Sequence, residues 1–384
     1  MWSEPSASPA NSKQKLTLLG RFLRYILLTR TSSDAGHFMQ SREQNLHEAP
    51  RPRRFKVAVV QAASVAFDLE RTLEKVRRLA REAASQGAKL VLFPEAFVSA
   101  YPRGLGFGAV VGSRSDKGRD DFRRYWESSV QIPGPAVESL SQTARASGIS
   151  LIVGVVERDA GTLYCTVLFF APDGGYLGKH RKVMPTASER LVWGFGDGST
   201  LPVFDTPLGK VGAVICWENY LPLLRATMYA KGIEIYCAPT ADARDSWLAT
   251  VRHIAVEGRC FVLSCNQFNL RRDFPADYDS VYGEDPDAIM TRGGSCIVDP
   301  FGDFLVGPNL ENEAILVAEI DRAQIVRGKY DLDVVGHYAR PDIFQLHVDE
   351  RPKQPVTTHS EISDIKEEAP FHPGQRLTTR SASE

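Results

Sequence analysis

No run of apolar residues in this chain approaches the roughly 20 needed to cross a bilayer. Neither charge sign is in excess, since 46 Lys and Arg face 47 Asp and Glu for a formal net charge of −1. That balance removes the electrostatic footprint expected of a nucleic-acid or anionic-membrane partner. Cysteine is scarce, with six residues, none in a CxxC pair, so there is no zinc frame and no disulfide scaffold. They read as reduced, mostly buried thiols of a cytosolic protein. There is no GxSxG nucleophile elbow and no Walker A loop. The glycine-rich WGFGDGS at 193–199 misses the dinucleotide fingerprint and follows no predicted strand, so it reads as a loop.

What remains is an ordinary globular composition, 43% hydrophobic and 24% charged, in a chain long enough for a large core. Residues 1–54 differ in texture, being rich in Ser, Pro and Arg. Within them KLTLLGRFLRYILLTR is at once apolar and basic. This leader has three readings: an amphipathic helix, an organelle transit peptide, or upstream sequence preceding a natural start at Met39. Composition favours the last. From Phe55, strand-like runs (KVAVVQ, KLVLF, ISLIVGVV, LYCTVLFFAP, KVGAVIC, IEIYCAP, CFVLSCNQ, GGSCIV, AILVAEI) are joined by helical stretches. Asp68 is placed to cap the first helix, and Gly87 to end it. Other helices are predicted near 119–130, 135–147, 221–231 and 243–259. The alternation predicts an α/β fold with covered sheets. No internal repeat is visible. Residues 55–345 read as one domain and 346–384 as a polar tail.

Cys216 ends the apolar run VGAVI and precedes WEN, so a thiol sits where a helix is about to begin. Helix N-terminal N–H groups would favour its thiolate. Glu95 ends another strand in VLFPEAF, and Lys182 lies in the basic segment GKHRKVMP, predicted as a turn. A nucleophile, a base and a cation suit attack on a carbon–nitrogen bond. Each has a plainer reading. A cysteine after a strand is usually a small buried hydrophobe. Glu95 could complement a helix dipole, and Lys179 to Lys182 could form a solvated turn. Glu189 reads alone as a surface acid, and His253 as a helix-face or core histidine.

The joint occurrence and order of these segments decide between the readings. VLFPEAF…YPRG, GKHRKVMPTASER, WGFGDGST, GAVICWEN, MYAKGIEIYCAPTADARDSW and DVVGHYARPD resemble the nitrilase branch of the carbon–nitrogen hydrolase superfamily, especially plant-type and related bacterial nitrilases. The resemblance covers about residues 55–345 and leaves the leader without a counterpart. It implies a four-layer α-β-β-α sandwich and a catalytic set of Glu95, Lys182 and Cys216, with Glu189 as the additional glutamate orienting Lys182 or a water. Tyr101, Trp193, Trp217 and Tyr220 become the candidate substrate-binding residues. Tyr220 departs from the Arg that many plant members carry after WEN, so their substrate preference does not transfer. The implied reaction is hydrolysis of a nitrile to acid and ammonia, with an amide side product, and needs no metal or organic cofactor. The alternatives are an amidase or carbamoylase with the same triad, and a non-catalytic self-assembling scaffold. The implied assembly is a homo-oligomer: a dimer, a spiral or a filament. A cytoplasmic location is expected, with organelle import through the leader as the alternative.

Overall fold

The computed structural model describes residues 51–353 and Val356. The leader expected over 1–54 therefore lies outside the described residues up to position 50, and so does most of the tail. From Arg54 to Arg181 the chain forms β1 (Arg54–Gln61), α1 (Leu69–Ser85), β2 (Ala88–Leu92), α2 (Asp116–Glu127), β3 (Val130–Gln131), α3 (Pro135–Ser147), β4 (Ser150–Asp159), β5 (Thr162–Phe170) and β6 (Tyr176–Arg181). It continues through β7 (Val203–Thr206), β8 (Gly209–Ala213), α4 (Pro222–Ala230), β9 (Ile235–Pro239), α5 (Asp245–Gly258) and β10 (Phe261–Cys265). The last elements are β11 (Phe268–Leu270), β12 (Ile289–Arg292), β13 (Ser295–Val298), β14 (Phe304–Asn309), β15 (Ala314–Asp321) and α6 (Ala323–Gly328).

Two large sheets carry the fold. The first runs β15-β1-β2-β4-β5-β6, with β3 paired to β4, and the second runs β14-β13-β10-β9-β8-β7. Both follow one plan. Each has three parallel strands, β1-β2-β4 or β8-β9-β10, flanked by an antiparallel edge strand on one side and an antiparallel meander on the other. The sequence carries no sign of this repeat, because only the pattern of strand directions is repeated.

Strand alternation divides the apolar residues among three layers. Val57, Val59, Leu90, Leu92, Ile152 and Val167 of the first sheet pack with Val211, Ala213, Ile235, Cys237 and Leu263 of the second, filling the space between the sheets. The alternate residues Ala58, Val60, Val91, Val153 and Leu168 face outward against Leu73, Val76 and Ala80 of α1 and Leu140 and Ala144 of α3. On the far side, Tyr236, Ala238 and Val262 pack against Met228 of α4 and Trp247, Val251 and Ile254 of α5. Helix, sheet, sheet, helix is the expected four-layer sandwich. Burial on both faces explains why the central strands read as unbroken apolar runs. Asp68 caps α1 as expected, its side chain accepting the Arg71 N–H at 3.0 Å, and Gly87 follows the helix end at φ +92°.

One local expectation is overturned. The basic run Lys179–Lys182 is not a solvated turn: β6 holds residues 176–181, and His180 and Lys182 are fully buried. Lys179 and Arg181 point the other way and reach Glu157 at 2.5 and 2.6 Å. With charged or polar groups on both faces, the strand shows no apolar alternation to read. On the surface, Lys353 N–H donates to Asp197 at 2.7 Å and Lys231 pairs with Glu350 at 2.5 Å, so the chain near 350–353 lies against the domain.

Candidate active site

The first strand to position a reactive group is β2. It leaves its sheet after Leu92, while Phe93 N–H still donates to the Ile152 carbonyl at 2.8 Å and Val98 N–H rejoins β4 at Gly154 O, 3.1 Å. Between them Pro94-Glu95-Ala96 bulges outward, with Ala96 in the left-handed region at φ +47°. The bulge needs Gly154 beneath it. A Cβ there would lie 2.0 Å from the Pro94 carbonyl oxygen and 2.9 Å from Ala96 N. Glu95 is thereby aimed into the space between the sheets.

Lys182 follows β6, and Cys216 opens a short 3-10 turn, Cys216–Tyr220, just past β8. The Lys182 ammonium lies 2.7 Å from Glu95 Oε1 and 2.7 Å from Glu189 Oε2, all three being buried or nearly so. Glu189 sits in the 3-10 turn Ala187–Leu191, so it is no surface acid. It accepts the Thr186 N–H at 2.6 Å and the Tyr101 hydroxyl at 2.7 Å. Cys165 on β5 places its thiol 3.5 Å from Glu95 Oε1, while Glu95 Oε2 is buried without a partner of that kind. Thr240, just past β9, donates its hydroxyl to Cys216 Sγ at 3.1 Å.

Burial chiefly raises the Glu95 pKa; the Lys182 charge opposes it and the Glu189 charge adds to it. Burial disfavours a charged Lys182, but Glu95, Cys216 and Glu189 together outweigh it and raise that pKa well above the usual lysine value. The Cys216 thiol is pushed up, first by burial and then by the Glu95 carboxylate, against the pull of Lys182. This corrects the expectation of a helix-stabilised thiolate. Cys216 opens only one 3-10 turn rather than a long helix, and it is itself in the left-handed region at φ +51°. A neutral thiol beside a high-pKa carboxylate is a nucleophile that needs a base at the moment of attack.

A cavity of about 700 Å³ opens on Cys216 and is lined among others by Tyr101, Glu189, Trp217 and Asp242. Trp217 is held in place by its Nε1–H on Asp242 Oδ2 at 2.8 Å and by the Arg244 guanidinium, 4.6 Å from its ring centroid. Trp193 lines an adjoining cavity of about 430 Å³ instead, with Lys182 Nζ 5.7 Å from its ring centroid and Tyr101 edge-on at 5.7 Å. Tyr220 is in neither lining; it packs edge-on against Trp217 and Trp247 at 5.7 and 6.3 Å. Of the four aromatic candidates, then, Tyr101 and Trp217 meet the cavity at Cys216. His253 is a helix-face residue, its ring 3.6 Å from Glu257. Sequence reasoning missed Cys165 and Thr240, although both lie in or next to predicted strands. Contacts between segments 24 residues apart for Thr240 and Cys216, and 70 apart for Cys165 and Glu95, bring them together.

A family model described as carbon-nitrogen hydrolase matches residues 56–330. A nitrilase from Bradyrhizobium diazoefficiens is 55% identical over 82% of this chain and 98% of its own length. A bifunctional nitrilase/nitrile hydratase from Lupinus angustifolius is 51% identical over 89% of this chain and 99% of its own. Among solved structures, the NitFhit protein of C. elegans matches with a TM-score of 0.60 at 20% identity, covering 79% of this chain and 69% of that one. An amidase from Nesterenkonia matches at 0.54 and 21%, covering 73% and 96%. At such identities these structures speak for the fold alone.

The contact beneath Glu95 yields a test. Gly154→Ala must displace the Pro94–Ala96 bulge, and a shift of about 1 Å at a reacting group costs of order 10²-fold in rate. Turnover is expected to fall by about that factor while circular dichroism stays native. An alanine variant with wild-type turnover would show that the bulge tolerates a Cβ.

Proposed function

Because the chain belongs to the carbon–nitrogen hydrolase family, we propose that it converts an organic nitrile to the carboxylic acid and ammonia through a covalent Cys216 intermediate. It is a hydrolase of carbon–nitrogen bonds other than peptide bonds. The observation that carries the reading is the buried Lys182 ammonium, 2.7 Å from each of two carboxylates beside a neutral, buried thiol. The relatives named nitrilases, 50–56% identical, support nitrile over amide as substrate.

In this mechanism Cys216 Sγ adds to the nitrile carbon. Glu95, its Oε2 uncommitted, takes the thiol proton and delivers it to the nitrogen, giving a thioimidate. Lys182 and the Trp217 backbone N–H offset charge at that nitrogen. Water then adds, losing a proton to Glu95, and a tetrahedral intermediate forms. If protonated nitrogen leaves, ammonia departs, and a second water releases the acid from the thioester and restores the thiol. If sulfur leaves first, the product is the amide and only one water is used. The name of the lupin relative joins both activities, which fits such a partition. Glu189 holds Lys182 and, through its charge, tunes Glu95. Tyr101 and Trp217 bound the substrate, whereas Trp193 acts through Lys182 and Tyr220 through Trp217.

The same proposal includes self-association and a cytoplasmic location. Leu223, at the start of α4, is 67% exposed, and all six cysteines are unpaired, which suits a reducing compartment. No helix among the described residues is long and apolar enough to cross a membrane. Light scattering at micromolar protein is expected to give a dimer or larger; a monodisperse active monomer would end that part of the proposal.

Ammonia release from a panel of nitriles and their matching amides tests the reaction, with products separated by chromatography. Nitriles are expected to be turned over, and Cys216→Ala to lose activity by more than about 10³-fold while remaining folded. Release from amides alone would favour the amidase, and release from neither would favour a scaffold.

Glu189→Gln gives a pH test. Glu95 must be ionised to act, and its raised pKa sets the acid limb of kcat/KM above the ordinary glutamate range. Removing the Glu189 charge eases ionisation, both by losing a like charge and by leaving Lys182 wholly to Glu95. The residual activity is expected to show its acid limb at lower pH than wild type. A limb that stays put or rises means that it does not report Glu95.

A further inference from the structure

We propose that Glu218 is a positioning residue for this reaction, clamping the chain on either side of Lys182 to the chain that carries Cys216. The proposal rests on the functional reading above. Glu218 is 1% exposed and is not part of the Cys216 cavity lining, so it acts through other groups. Three donors converge on its carboxylate. Val183 N–H, next after Lys182, donates to Oε1 at 2.5 Å. Ile215 N–H, just before Cys216, donates to Oε2 at 2.9 Å. His180 Nε2, two residues before Lys182 and on the same face of the chain, lies 3.0 Å from Oε2.

The two segments belong to different sheets. His180 is in β6 at the edge of the first, and Ile215 lies just past β8 of the second. One side chain thus spans the gap across which the ammonium and the thiol must keep their separation. Its charge also has a partner. His180 Nδ1 faces the Thr200 carbonyl oxygen at 2.5 Å, while Nε2 faces Glu218. The Thr200 carbonyl only accepts, and so does Glu218 as a carboxylate, in which case both ring nitrogens carry protons. The pair is an imidazolium and a carboxylate, each with a fully buried side chain. Burial lowers the His180 pKa, but the Glu218 charge, the hydrogen bond to Glu218 and the bond to the Thr200 carbonyl together outweigh it, and the net shift is upward. A buried pair of this kind is poor evidence for stability and better read as fixing one geometry. Backbone bonds from Lys182 N–H to Cys165 O and from Gly196 N–H to Lys182 O, both 2.8 Å, secure Lys182 to its own surroundings. Neither of them reaches the Cys216 turn.

The test uses the full chain and two variants, Glu218→Gln and the double variant Glu218→Gln/His180→Gln. Glutamine cannot accept from three donors at once, and alone it leaves the imidazolium unpaired; the double variant removes that buried charge. The readouts are Tm, kcat and KM on a nitrile, and the rate of Cys216 alkylation by iodoacetamide, located by mass spectrometry. The expected result for Glu218→Gln is a kcat loss of order 10²-fold with KM changed less than about threefold, and alkylation slowed alongside. The double variant is expected to regain Tm without regaining kcat. Wild-type kcat in Glu218→Gln overturns the proposal, and so does recovery of both Tm and kcat in the double variant. Failure of both variants to fold also overturns it, leaving Glu218 a purely structural residue. If the wild type releases no ammonia from nitriles, the functional reading fails, and the alkylation rates still judge the clamp.

Discussion

An ammonium group with no solvent contact has to be paid for by anions, and the structure is arranged around that requirement at Lys182. Burial alone would neutralise the lysine. Two carboxylates at 2.7 Å keep it charged, while burial first, and then the Glu189 charge, raise the proton affinity of Glu95. The result is a carboxyl poised to exchange a proton close to a thiol that has not yet lost its own. None of these groups would have its reactivity in water. Their titrations are coupled and belong to the cluster rather than to single residues.

Holding that cluster requires segments from both sheets. Glu95 comes from a bulge in the first sheet, allowed by the missing Cβ of Gly154. Cys216 and Thr240 come from the ends of the parallel strands β8 and β9 in the second. Strand ends are where side chains leave the layered core without disturbing it, and the facing sheets shield them from water. Ala96 and Cys216 both take left-handed backbone conformations, at φ +47° and +51°. Such strain on non-glycine residues costs of order 1–3 kcal/mol each. It persists because the strands on either side are fully paired and buried.

The protonated state of Cys216 separates two ways of activating a thiol. A long helix N-terminus or a bare cation would ionise it in advance. In the proposed mechanism the thiol stays neutral and Glu95 takes its proton as the reaction proceeds. The Cys165 thiol and the Lys182 ammonium both lie on Glu95 Oε1, which leaves Oε2 as the oxygen without such a partner. The arrangement suits an electrophile as weak as a nitrile, where the thiol proton must reach the nitrogen as the new bond forms.

The chain's local patterns determined a good deal. Strand and helix periodicity placed nearly every central element, because a parallel strand buried on both faces is apolar throughout and an amphipathic helix repeats its face. Residue order also put Glu95 and Cys216 at strand ends, and the joint motifs added Lys182 and Glu189. Tertiary structure alone decided the rest. That Lys179–Arg181 is strand, with Lys182 just past its end, was hidden by polar groups on both faces, one side pairing with Glu157 and the other facing inward. Cys165, Thr240 and Glu218 joined the site through contacts between strands and turns far apart in sequence. Tyr220 lies in the same short turn as Trp217, yet it packs behind that ring and takes no part in the cavity wall that Trp217 forms. The ionisation of Cys216 went against its local setting. Sequence carries residue chemistry and short-range periodicity; a pKa or a cavity wall depends on which distant charges and apolar surfaces the packed sheets bring within a few ångströms.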